Sequence, residues 1–181
     1  MRTACLGLLL VACTNVPGDS GSLGFFDVDG ELTANSCGPL ALRLPATVRF
    51  VAELRVGTGT LRWRPRGATE ALGTYDPVTG AFRVAAQGEL VLREANVRLR
   101  LPGCSLQQVD VLEGVLDRPN GYDGGADSDA GGPTRLGFRA TETLGYAITA
   151  GSDCTTLLGV GEGQFAQLPC TAAYRWRGAA Q

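Results

Sequence analysis

The sequence predicts an all-β fold: a single antiparallel meander of roughly eight to ten strands, either an up-and-down barrel or a β-sandwich. Three observations predict it. Apolar side chains recur at every second position in one segment after another, turn residues separate those segments, and no stretch of twelve residues carries a helical period of 3.6. The 26 glycines are spread along the chain, as a protein rich in turns requires.

The strands can be taken in order. In "FFDVDGELT", Phe26, Val28 and Leu32 alternate with Asp27, Asp29 and Glu31, so three carboxylates share one face. "TVRFVAELRV" is the clearest half-buried strand, with Val48, Phe50, Ala52, Leu54 and Val56 on one side and Arg49, Val51, Glu53 and Arg55 on the other. "TLRWRP", "AFRVAA", "NVRLRL", "TRLGFRATET" and "AAYRWRG" follow the same rule. In "YDPVTGAF", Pro77 presets one turn angle and Gly80 is free to take a positive φ, which predicts a hairpin flanked by Tyr75 and Phe82. "DRPNGYDGGADSDAGGPTR", residues 117–135, is nearly free of apolar side chains and is expected to be a solvated, disordered loop between strands.

The first thirteen residues read differently. Arg2 supplies a positive start, residues 4–12 are mostly apolar, and the run is too short to span a bilayer, which takes about 20 residues. Leu10-Val11-Ala12-Cys13 resembles the lipobox of bacterial lipoproteins. The resemblance implies a signal peptide over residues 1–12, a diacylglycerol on the Cys13 thiol, and acylation, typically with palmitate, of the new amino terminus. Thr14, rather than Asp, follows the cysteine, which by the sorting rule of that class implies the outer membrane, with the domain facing either periplasm or cell surface. Residues 13–22 would form a lipidated tether and residues 23–181 a single domain.

Composition narrows the chemistry. The mature chain of 169 residues would carry a net charge of −3, with no basic excess to suggest nucleic acid. All sixteen basic residues are arginine. Without histidine or lysine there is no Ser-His or Cys-His nucleophile, no imidazole ligand and no Schiff base, so what survives is carboxylate chemistry or a substrate-assisted mechanism, and a non-enzyme is expected. No cofactor is implied.

Cys37, Cys104, Cys154 and Cys170 remain after Cys5 leaves with the signal, and four cysteines in an exported chain predict two disulfides. Of three connectivities, Cys37 with Cys104 and Cys154 with Cys170 is expected, because a meander brings sequence neighbours together. A four-thiolate zinc site is disfavoured by the lack of any Cys-x-x-Cys pair.

Other constellations are weaker. "LRWRP" and "YRWRG" both hold Arg-Trp-Arg, so Arg62, Arg64, Arg175 and Arg177 are candidates for an anion site, against a plain reading as solvated positions beside core tryptophans. The row Asp27, Asp29, Glu31 suggests a metal or a glycosidase pair, but is expected to lie in water opposite arginines. Asp123, Asp127 and Asp129 could ligate calcium, though the spacing does not fit an EF-hand. The glycines of 159–163 lack the context of a phosphate loop and are expected to form a turn.

The sequence therefore predicts a lipid-anchored, non-catalytic module of the cell envelope, structural or binding a protein or glycan. The alternative is a carrier of a small apolar ligand: size and anchor are similar to bacterial lipocalins, although their Gly-x-Trp signature is missing around Gly24-Phe25-Phe26. A carboxylate-based glycan hydrolase is the lesser alternative.

Overall fold

A computed structural model describes residues 21–42, 44–117, 136–159 and 164–181. The signal, the lipobox with Cys13, residues 14–20 of the tether, Asp123, Asp127 and Asp129, and residues 160–163 lie outside the described residues.

The fold is a closed antiparallel barrel in which each strand pairs with its neighbours in sequence and the last returns to the first. The strands are β1 (Gly21–Asn35), β2 (Thr47–Gly57), β3 (Thr60–Pro65), β4 (Ala71–Tyr75), β5 (Ala81–Arg93), β6 (Cys104–Asp117), β7 (Gly137–Ile148) and β8 (Cys170–Ala180). Up-and-down barrel is thus the outcome, not sandwich, with eight strands. Alternation decides the inward face, because a register slip of one residue would turn every core side chain to solvent. Phe26, Val28, Ala52, Leu54, Leu61, Trp63, Phe82, Val84, Phe138 and Trp176 all point inward and are buried.

Several expectations need correction. β1 begins at Gly21, so the last two residues of the expected tether belong to the barrel, where Gly21 pairs with Val56. Asp117 closes β6 opposite Gly137 and belongs to no loop. "NVRLRL" is not a strand: it is a tight turn closed by the Asn96 and Leu101 pair, with Val97 and Leu99 in solvent, because no neighbouring strand is there to receive them. The "YDPVTGAF" hairpin forms as expected, with Tyr75 opposite Phe82 and Gly80 at φ 75°.

The disulfide pairing differs as well. Cys37 is joined to Cys170 and Cys104 to Cys154. Barrel closure sets the first strand beside the last, so Cys37, just past β1, meets Cys170 at the start of β8. The β7–β8 connection folds back over the top of β6 and presents Cys154 to Cys104. Both bonds lie at the same end of the barrel.

That end is also the incomplete one. β3 and β4 are short, and β4 meets β5 only over three residues. Beyond them, residues 47–50 of β2 and 85–93 of β5 have no strand partner on the facing side among the described residues. The wall is open there, and the interior is reached through the gap.

Candidate functional site

The barrel interior divides at Trp176. Toward the complete end, rings interlock: Phe138 lies 5.7 Å from Phe26, 5.7 Å from Trp63 and 6.1 Å from Phe82, mostly edge to face. Phe50 bridges the two tryptophans at 6.0 and 5.3 Å. Two glycines make room for this. A Cβ on Gly178 would sit 1.9 Å from the Phe138 ring, and one on Gly30 would sit 2.0 Å from the Trp176 ring. Side chains fill this half, as expected for the bore of eight strands.

Toward the open end polar groups join apolar ones such as Leu106 and Leu144 on the inward face. β6 turns Gln108 and Asp110 inward, and β7 turns Glu142 inward between Ala140 and Leu144. Strand register sets Asp110 beside Leu144 and Leu112 beside Glu142, which makes the two carboxyls diagonal neighbours on one face. The Trp176 indole Nε1 donates to Glu142 Oε2 at 3.1 Å, and Tyr174, stacked on Trp176 at 5.3 Å, donates its hydroxyl to the Pro45 carbonyl. Tyr146 stands opposite Gln108.

Electrostatics follow from this confinement. Burial, then the neighbouring Asp110 charge, push Glu142 up to about 7. Burial also raises Asp110, opposed by its hydrogen bond from Glu142. Glu142 therefore changes protonation around neutrality, and below about pH 7 the pair shares a proton held mainly by Glu142. Tyr146 is pushed up to about 12 by burial first and then by the charges of Asp110 and Glu142.

The wall beside the acids is bare. On the neighbouring strand β5, Ala86 is the register partner of Asp110 and Gly88 that of Gln108; both are exposed, and a Cβ on Gly88 would meet open space. Small residues thus stand next to the polar groups, at the edge where β5 has no strand partner on its other side among the described residues.

The residues singled out by sequence lie elsewhere. Arg62 and Arg64 are on the outer face of β3, where Arg62 pairs with Glu70 and Arg64 with Glu53. Arg175 and Arg177 are on the outer face of β8, and β1 and β2 separate the two pairs. The structure does not bring the four together. The row Asp27, Asp29, Glu31 lies on the outer face of β1, with Asp29 paired to Arg49 at 2.6 Å. Glu53 is buried beneath Arg55 and Arg64, and the hydrogen bond from Arg55 holds its carboxyl below the usual range. Among the described residues no three histidine, cysteine or acidic side chains converge as a metal site.

Asp110 and Glu142 were not singled out by the sequence analysis. The signal for Glu142 was there: in "GFRATETLGYAI" it is the one charged residue in phase with Phe138, Leu144 and Tyr146. The chain matches no protein-family model, no curated protein and no solved structure.

Proposed function

We propose that the protein is a non-catalytic binding module of the cell envelope, tethered to the outer membrane by lipid on Cys13, whose working surface is the open half of its barrel. The observation that carries this reading is the asymmetry of the interior. One half is filled by its own aromatic rings; the other turns inward ionisable groups that the fold gains nothing by burying, beside the exposed Ala86 and Gly88 and the edges of β2 and β5 that lack a strand partner among the described residues.

Attachment, rather than insertion, fits the outer surface. A barrel that crosses a membrane needs an apolar band about 25 Å tall facing lipid. Here Asp29, Arg49, Arg62, Arg83, Glu113 and Arg139 face outward, most of them in ion pairs. An anchor would then be the means of holding the domain at the membrane, and two disulfides suit an oxidising compartment.

The alternatives find less support. An apolar carrier needs an apolar cavity, and the region around the tryptophans is occupied by Phe50, Phe138 and their neighbours. Glycoside hydrolysis needs carboxyls at least about 5 Å apart, whereas Asp110 and Glu142 are hydrogen-bonded to each other.

Two measurements test the reading. In cells, Cys13→Ser should lose the acyl mass and leave the membrane fraction; retention would refute the anchor. The mature chain carrying Cys13→Ser, exported behind an ordinary cleavable signal, should show by native mass spectrometry two disulfides and a polar companion released on denaturation. Turnover of a glycan by that protein would refute the non-catalytic reading.

A further inference from the structure

We propose that the open half of the barrel binds an organic ammonium ion, a primary amine or quaternary ammonium with a small carbon body. The inference rests on the binding-module reading above and names its ligand class.

Charge gives the sign. Asp110 and Glu142 sit inside the barrel with no cation to answer them among the described residues: Arg83, Arg139, Arg175 and Arg177 are on the outer faces of β5, β7 and β8. Arg93, at the rim, is already engaged with the Pro102 and Asp153 carbonyls and the Thr156 hydroxyl. A partly buried carboxylate without a partner is costly, and a ligand cation would remove that cost. An anionic ligand would add to it.

A second observation is independent of the acids. Tyr146 is buried over its ring, while its hydroxyl has no hydrogen-bond partner among the described residues and is not itself shut off from solvent. Both carboxyl charges act on it, so it faces the same space. Gln108, opposite it, likewise has no side-chain partner among the described residues. Two neutral polar groups are left to accept N–H or O–H bonds from a guest.

The walls select organic over inorganic cations. A hard metal ion takes six or more oxygen ligands, and the described residues offer no third carboxylate here. The tyrosine rings next to the carboxyls, Tyr146 and Tyr174, the second stacked on Trp176, suit the carbon body and the charge of an alkylammonium ion. Access is at Ala86 and Gly88, exposed small residues next to Asp110 and Gln108, where a Cβ on Gly88 would meet open space.

The test uses the mature Cys13→Ser chain and calorimetry with choline chloride and putrescine, against calcium chloride, sodium acetate and glucose. An ammonium probe should bind one to one and perturb Trp176 emission. Binding should weaken as pH falls below about 7, because the guest displaces the proton shared by Asp110 and Glu142. Glu142→Gln and Asp110→Asn keep the shapes and should each weaken binding at least about tenfold, the scale of a lost charged hydrogen bond. Gly88→Leu should block binding while leaving both carboxyls in place, and Arg49→Ala on the outer face should change nothing. Binding of calcium, acetate or glucose that Gly88→Leu abolishes, without ammonium binding, would overturn the ligand class and leave the binding-module reading standing. If no probe binds and the exported protein carries no companion, both fall.

Discussion

The two ends of this barrel are held together by different physics. At the complete end, Phe26, Trp63, Phe82 and Phe138 fill the bore, and the strands need no covalent help. At the open end, Gln108, Asp110 and Glu142 replace apolar side chains, β3 and β4 stop short, and both disulfides appear. The contrast teaches that the disulfides act where the sheet is incomplete. Apolar burial continues at this end through Leu106, Leu144 and Phe165, but among the described residues the facing edges of β2 and β5 carry no ladder, and the cross-links tie down the strands β1 and β6 beside them.

The largest test of that contrast removes a cross-link. Cys37 and Cys170 lie 133 residues apart in sequence, and replacing both by alanine should lower stability by about 5 kcal/mol in the chain-entropy picture. Denaturant unfolding of the mature chain measures it, and the aromatic half should keep its near-ultraviolet signature at low denaturant.

Next in size is a pair of glycine substitutions, one for each half. Gly178→Val drives a side chain into the Phe138 ring and should cost about 3 kcal/mol, the upper range for overfilling a core. Gly88→Ala meets nothing and should be neutral or stabilising by about 0.5 kcal/mol, since glycine is a poor strand residue. Equal effects at the two sites would break the comparison.

A third test is the pH dependence carried by Glu142. Its folded pKa, about 7, lies above the ordinary value of 4.5, so between those values the folded state holds more protons than the unfolded one. Stability from this group is therefore full below about 4.5 and lost as pH rises through 7. Glu142→Gln should match the parent at pH 4.5 and exceed it by about 2 kcal/mol at pH 8, read from unfolding curves at the two pH values. Asp110, also raised, adds in the same direction.

The sequence made the complete half legible and the open half obscure. Where a strand alternates cleanly, as Val48 to Val56 do, the inward face follows from the period alone. β6 defeats that rule: Val109, Val111 and Val115 occupy the outward phase while Gln108 and Asp110 occupy the inward one, so periodicity could not say which side Asp110 takes. The disulfide pairing was hidden for a different reason. Closure of β8 on β1 is a long-range event, and only it brings Cys37 to Cys170. The doubled Arg-Trp-Arg drew attention to the wrong face, because it is the tryptophans that point into the barrel and the arginines that stay outside. Trp176 then leads, through its indole nitrogen, to Glu142.

The two tryptophans fall on either side of the division, which allows one direct measurement. Trp63 lies among phenylalanines in the filled half, and Trp176 donates to Glu142 at the floor of the open one. In proteins that keep one tryptophan each, Trp63→Phe and Trp176→Phe, emission would be followed from pH 5 to pH 9. The account predicts that Trp176 emission titrates with a midpoint near 7, that the transition vanishes with Glu142→Gln, and that Trp63 emission stays flat. A flat Trp176 signal, or the same transition at both tryptophans, would contradict an ionisable open half set against an inert filled one.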